Sequence, residues 1–233
     1  MHEIRMQHPG KNALGTDLIH WLDSEIERAG LEPILLTGTA DAFSAGLDLR
    51  EVHAHREAGL ESMLRAFDAL VARLYLHPAP TVALVNGHAI AGGCILALAC
   101  DWRVAVDSPK ARIGVNELAL GVCFPPITLN VLRQRLPHHA VERVVLGAQL
   151  FAPADALVVG LVDEVSPESA ELARKRLTTL AAHPRAAYAH TKRLLRSATV
   201  TSADERRFSE VEVPIWASPA VKERIDALIN RKT

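Results

Sequence analysis

Glu117 lies in Gly114-Val-Asn-Glu-Leu-Ala-Leu-Gly121, an apolar stretch whose nearest basic residue is Arg112. A carboxylate placed there loses solvation. Burial disfavours its charged form and raises its pKa, which suits a general acid/base working near neutrality. An exposed loop glutamate is the alternative that the residue alone leaves open. Upstream, the short apolar run Thr81 to Val85 is bounded by Pro80 and Asn86-Gly87, and Gly92-Gly93 stands directly before the apolar run Cys94 to Cys100. That order predicts strand, turn, glycines and buried helix. A helix that begins at glycines leaves its first N–H groups free, aims its positive end outward and lets a ligand approach the backbone. The pattern recurs where Ile34 to Gly38 leads through Ala45-Gly46 into a second helical segment. Two such units could each aim one N–H at a shared point, toward something negative or polarised. Tight helix–strand packing is the other use that such glycines have.

These groups need elements to position them. Thr16 is a candidate N-cap for a helix to about Ala29, with Leu18, Ile19, Leu22 and Ile26 on one stripe and Gly30 as its stop. Glu51 to His77 is helical and charged, ended by His77-Pro-Ala-Pro80. Trp102 to Val106 and Ala111 to Gly114 are strand candidates, the second leading to Glu117. Short helices are expected at Thr128 to Leu136 and Ala140 to Leu146. Pro153 opens another and Gly160 closes it before the strand Leu161 to Val165. Beyond Pro167 the pattern is helical, roughly 168–182, 184–197, 202–212 and 218–230, broken at Pro184, Pro214 and Pro219. Residues 1–166 therefore form the core, and 167–233 a helical region of the same structural unit that packs on its own core or on a neighbouring subunit. Asp48 is expected to cap the helix after Gly46, and Asp101 to tie down a helix end near Arg103. His190 to Arg196 reads as a solvated basic helix face, with a phosphate contact as the sharper alternative.

Composition removes several function classes. The chain of 233 residues is 49% hydrophobic with a formal net charge of −1. That gives no electrostatic case for nucleic acid or an anionic membrane. No apolar run approaches the about 18 residues of a membrane span. The N-terminus carries no recognisable leader, so a cytoplasmic location is expected, or a mitochondrial one if a leader has been removed. Cys94, Cys100 and Cys123 lie in apolar surroundings and read as small core residues. The histidines lack metal-ligand spacing, and no metal is expected.

Phe43-Ser-Ala-Gly-Leu-Asp-Leu49, Asn86-Gly-His-Ala-Ile-Ala-Gly-Gly-Cys94 and Ala97-Leu-Ala-Cys-Asp101 together resemble the crotonase, or enoyl-CoA hydratase/isomerase, superfamily. The resemblance covers nearly the whole chain. It implies an α/β fold: a spiral of ββα units with a C-terminal helical trimerisation region, assembling as a homotrimer or a dimer of trimers. It implies an acyl-CoA substrate, with coenzyme A as part of the substrate and no separate cofactor. The N–H groups of Ala45 and Gly92 would form an oxyanion hole for the thioester carbonyl. Ala42, Phe43 and Ser44 would bring backbone groups to the CoA adenine, and Leu47 would touch substrate. Phe124 would line the acyl pocket, and Lys192 would approach the CoA phosphates.

The acidic residues distinguish the family's reactions. Its hydratases carry two glutamates; this chain keeps the second as Glu117 but has Ile95 at the first position. Isoleucine holds no water by hydrogen bonding. One carboxylate suffices to move a proton from C2 to C4 of a 3-enoyl-CoA, with the oxyanion hole stabilising the dienolate between. The segments Ala91 to Val104 and Ile113 to Val122 are similar to Δ3,Δ2-enoyl-CoA isomerases, and the expected activity is that isomerisation, in fatty-acid β-oxidation. The alternatives are an enoyl-CoA hydratase or other crotonase chemistry, and a non-catalytic acyl-CoA binder.

Overall fold

The computed structural model describes residues 1–196 and 200–230; the end of the helix expected over 184–197 lies outside them. The chain opens with β1 (His2–Arg5), then a turn at Pro9–Asn12 in which Gly10, Lys11 and Asn12 all have positive φ. Helix α1 (Thr16–Ala29) follows, capped by Gly15 rather than by Thr16. Thr16 is instead the first helical residue, because its N–H and hydroxyl both donate to the Glu51 carboxylate. β2 (Ile34–Thr37) and β3 (Ala42–Ser44) lead to α2 (Leu49–Ala54), whose N-cap is Asp48, as expected, accepting from Arg50 and Glu51 N–H. The long helical pattern after Glu51 is two helices, since α3 (Glu57–Tyr75) starts afresh after His55 leaves helical geometry.

β4 (Thr81–Val85), β5 (His88–Ile90), α4 (Gly92–Ala99), β6 (Trp102–Val106) and β7 (Ile113–Gly114) repeat the strand–strand–helix rhythm. Next come α5 (Glu117–Leu120), α6 (Pro126–Arg135), α7 (His138–Gly147), α8 (Pro153–Val158) and β8 (Glu164–Ser166). The C-terminal region holds α9 (Ser169–Ala181), α10 (Arg185–Leu195), α11 (Ser202–Arg207), a π-helical turn (Phe208–Glu212), α12 (Val213–Trp216) and α13 (Pro219–Asn230). Pro214 therefore does not stop the helix. Its ring would clash with the carbonyl of Glu210 in α-helical geometry, and the chain widens into the π turn just before it.

The strands form two parallel sheets, β1-β2-β4-β6-β8 and β3-β5-β7. Register is continuous across the larger one, with Ile34 opposite Thr81 and Val82 opposite Trp102. Parallel sheets need cover on both faces, and β2 and β4 are buried at every residue. The alternation is clean: Leu35, Val82, Leu84 and Val104 pack under Ala173 and Leu177 of α9, while Ile34, Leu36, Ala83 and Val85 face the main core.

Candidate active site

The loop from Ala45 to Leu47 and the start of α4 meet. Gly46 has φ +87, and a methyl group added to it would stand 2.8 Å from the Ile90 carbonyl and 3.3 Å from Gly92 N. Only glycine tolerates that conformation so close to a neighbouring backbone. Ala91, immediately before Gly92, also has positive φ (51°), a sparsely populated state for a residue with a side chain. Gly92 N–H, at the first position of α4, donates to no group among the described residues. The two glycines divide the roles left open by their sequence. A methyl group on Gly93 would stand 2.5 Å from the Ser44 carbonyl, so Gly93 serves close packing against β3. Gly92 lines a cavity.

Ala45 corrects an expectation. Its N–H donates to the Lys11 carbonyl at 3.0 Å and is not available to a ligand. The acceptor is presented by the left-handed turn at Pro9–Asn12. Two residues on, Leu47 N–H has no acceptor among the described residues, although its neighbours are tied: Leu14 N–H donates to the Gly46 carbonyl and Asp48 N–H to the Leu14 carbonyl. Leu47 and Gly92 both line the cavity, and neither N–H has an acceptor among the described residues. Ala42, Phe43 and Ser44 are buried and committed to the interior. Asn12 donates to the Ala42 and Phe43 carbonyls, and Ser44 Oγ donates to the Asn12 carbonyl. They hold the loop in shape and present no surface to a nucleotide.

Glu117 is the first residue of α5 and is 6% exposed. Its Oε2 has no hydrogen-bond partner among the described residues. Burial pushes its pKa up to about 8, with only its own backbone N–H acting the other way. The exposed-loop alternative is thereby removed. Ile95 lines the same cavity, and Glu117 is the one carboxylate in its wall among the described residues. The cavity has a volume of about 250 Å³, and apolar side chains make most of its wall. Phe124 lines it, as expected. Thr128 does too, held by Asp68 at the start of α6, whose carboxylate accepts from Ile127 N–H, Thr128 N–H and Thr128 Oγ1. The sequence reading did not single out Trp216, which reaches the cavity from α12 and donates its indole N–H to the Cys123 carbonyl at 3.0 Å.

Lys192 is elsewhere. It is 6% exposed, with Nζ 3.1 Å from the Ala79 carbonyl and 2.8 Å from the Asp101 carboxylate. It cannot reach a CoA phosphate without leaving that pair. Asp101 is shared with Arg196 at 2.8 Å and with the Tyr188 hydroxyl. Burial acts to raise the Asp101 pKa, and the two cations more than offset it, leaving it low. So Asp101 anchors α10 and the residue after it, whereas Arg103 pairs with Asp163. The basic stretch is neither a solvated face nor a phosphate contact at these two positions. It carries the cations that fasten α10 to the core.

Residues 1–225 match the family described as enoyl-CoA hydratase/isomerase. The chain is 33% identical over 216 residues to enoyl-CoA delta isomerase 1, mitochondrial, of Mus musculus, covering 90% of this chain and 75% of that protein. The human mitochondrial delta3-delta2-enoyl-CoA isomerase structure superposes with a TM-score of 0.91 at 30% identity, covering 99% of this chain and 93% of that one. The structure of an enoyl-CoA hydratase from Bacillus halodurans gives 0.80 at 26% identity, covering 97% and 95%. The two parallel sheets and the C-terminal helices thus take the crotonase fold.

Proposed function

The chain belongs to the enoyl-CoA hydratase/isomerase family, and we propose that within it the protein is a Δ3,Δ2-enoyl-CoA isomerase. The observation that carries this reading is the lone carboxylate: Glu117 stands in an apolar cavity with Ile95, not a second acid, beside it. In this reading the thioester carbonyl of a 3-enoyl-CoA accepts from Leu47 and Gly92 N–H, with Leu47 in the role first given to Ala45. Ionised Glu117 removes a proton from C2. The C–H pair forms a double bond between C1 and C2 and the carbonyl pair moves onto the thioester oxygen, giving a dienolate in which C3–C4 is still double. Glu117, now protonated, returns the proton at C4 and the double bond comes to rest between C2 and C3. Each oxyanion donor is worth about 3–4 kcal/mol in such a transition state. No cofactor is required beyond the CoA carried by the substrate. The likeness to the mitochondrial isomerases supports the reading, and so does the raised pKa of Glu117.

A homotrimer or dimer of trimers belongs to the same proposal, supported by the exposed Leu194 and Leu195 on α10. So does a cytoplasmic location in fatty-acid β-oxidation. Among the described residues no helix is long and apolar enough to cross a membrane.

A paired assay tests the chemistry. One sample holds a 3-enoyl-CoA and is followed for the conjugated 2-enoyl thioester; the other holds a 2-enoyl-CoA and is followed for water addition. Conjugation without hydration is expected. Fast hydration would replace this reading with the hydratase one. Binding without either reaction would favour the non-catalytic binder.

A further inference from the structure

Burial sets Glu117 against its own task. With a pKa of about 8 it is mostly protonated at neutral pH, and a protonated carboxyl takes no proton. An acyl chain packed against it removes more water and opposes the charge further. No charged side chain relieves this, since burial and its own backbone N–H are what act on it. The titratable and charged groups around it are few. Cys94 on α4 is a thiol that burial, and after it Glu117, push up. Cys123 follows in the same loop, Asp68 of α3 is tied to the start of α6, and Arg224 of α13 reaches the Leu120 carbonyl.

The cavity wall holds a donor suited to that carboxylate. Of the other polar side chains there, Thr128 donates to Asp68 and Trp216 to the Cys123 carbonyl. The Cys123 thiol is a weak donor. Asn116 remains. It lines the cavity immediately before Glu117, and no hydrogen bond of its side-chain amide is found among the described residues. An asparagine just ahead of a helix normally has extended backbone and accepts from the N–H two or three residues on. Asp48 does so before α2. Asn116 instead has φ −119 and ψ 25, and no capping bond forms. Its amide is left to the cavity side. Glu117 Oε2 is buried without a hydrogen-bond partner among the described residues. Donor and acceptor thus belong to consecutive residues, with Cα atoms about 3.8 Å apart, and border one cavity.

We propose that Asn116 is a positioning residue: in the substrate complex its amide donates to the Glu117 carboxylate and holds it ionised beside C2 and C4. Glu117 is charged before it takes the C2 proton and again after it returns one at C4, so a fixed donor favours the base at both ends of the reaction. The hydrocarbon chain of the substrate offers the amide no competing acceptor. This inference rests on the isomerase reading for the proton that is moved, and on the cavity wall alone for the pairing of Asn116 with Glu117.

The test uses Asn116→Leu, which keeps the shape and removes the donor, and Asn116→Asp, which puts a charge in its place. Turnover of trans-3-hexenoyl-CoA is measured against pH, because kcat reports the ionisation of the enzyme–substrate complex. The midpoint of the kcat profile is expected to rise by about one pH unit or more in Asn116→Leu, and further in Asn116→Asp. Asn116→Ser, which restores a short donor, should fall between Asn116→Leu and the wild type, and it serves as well should the leucine variant fail to fold. A second readout needs no turnover. Infrared spectra of the complex with hexanoyl-CoA follow the Glu117 carboxylic acid band, recognised by its loss in Glu117→Gln, through the same pH series. The same upward displacement is expected. A midpoint that stays put in a folded variant would overturn the inference, whether kcat falls evenly at every pH, as for a merely structural residue, or KM alone rises, as for an amide that meets the substrate. If the enoyl ester is not isomerised but the infrared midpoint moves, the pairing stands and only the isomerase reading falls.

Discussion

Glu117 has to be ionised before it can accept a proton. Its pKa of about 8 means that kcat/KM should climb about tenfold per pH unit below that value and level off above it. The same burial affects stability with a definite sign. The unfolded chain ionises this carboxyl near 4.5 and the folded chain near 8. Between those values the folded state holds a proton that the unfolded state has released, so the contribution present below about 4.5 is lost as pH rises through about 8. Across that interval the loss is roughly 5 kcal/mol. Glu117→Gln should therefore lower kcat by about 10²–10⁴ or more, while its melting temperature gains on the wild type as pH rises from acid to mildly alkaline. Melts at a series of pH values read this directly, and a pH-independent difference would contradict a buried, ionisable Glu117. The apolar segment around Glu117 left an exposed loop open, and it was the resemblance of Asn116-Glu117-Leu118 to the family's motif that singled the residue out. The donor role of Leu47 was not legible in sequence. Which N–H in the loop is free depends on a carbonyl at Lys11, presented by a left-handed turn distant in sequence. Lys192 was misread for a related reason, since a basic helix gives no sign in its own sequence that one lysine faces a buried aspartate.

At the scale of elements, the site is a junction between one loop and two helix starts. Gly46 is where the loop passes the start of α4. Gly46→Ala would place a side chain on a left-handed backbone and against the Ile90 carbonyl. The loop would have to move away, carrying Leu47 N–H with it. A fall in kcat of about 10²–10³, with a smaller change in KM, is expected for the loss of one oxyanion donor. Unchanged kcat in a folded variant would remove Leu47 from its role. β2, β4, β6 and most helices followed from hydrophobic period and from glycine and proline punctuation, as at β4, α4 and α8, whereas β3 and β5 fall in stretches read as loop and turn. The failure at Pro214 is instructive. Proline does forbid the next α-helical hydrogen bond, but a helix can answer by widening as well as by stopping. Which response occurs is decided by packing, here of Phe208, Val213 and Trp216 against the main core.

Over the whole molecule, Asp101 secures the far end of α4. It follows the C-terminus of that helix, whose eight residues separate it from the Gly92 end by about 12 Å. It pairs with both Lys192 and Arg196, and Arg196 also donates to the Tyr75 carbonyl and stacks 4.4 Å from the Tyr75 ring centroid. Asp101→Asn would leave two buried cations without their counter-charge. A loss of about 3–5 kcal/mol is expected, read by denaturant unfolding, with kcat near wild type at temperatures where the variant stays folded. Wild-type stability in Asp101→Asn would mean that the cluster contributes no net fastening.

The cavity wall runs in sequence from Ala45 to Leu228. Its last contributors lie in α12 and α13, where Trp216 bonds the Cys123 carbonyl and Arg224 reaches the Leu120 carbonyl at the end of α5. A chain still emerging from the ribosome could pair its strands before those helices exist, leaving Glu117 in water. A hydrated carboxylate is a weak base with an ordinary pKa. In the proposed reaction the basicity of Glu117 would therefore depend on α12 and α13 as well as on the elements before them.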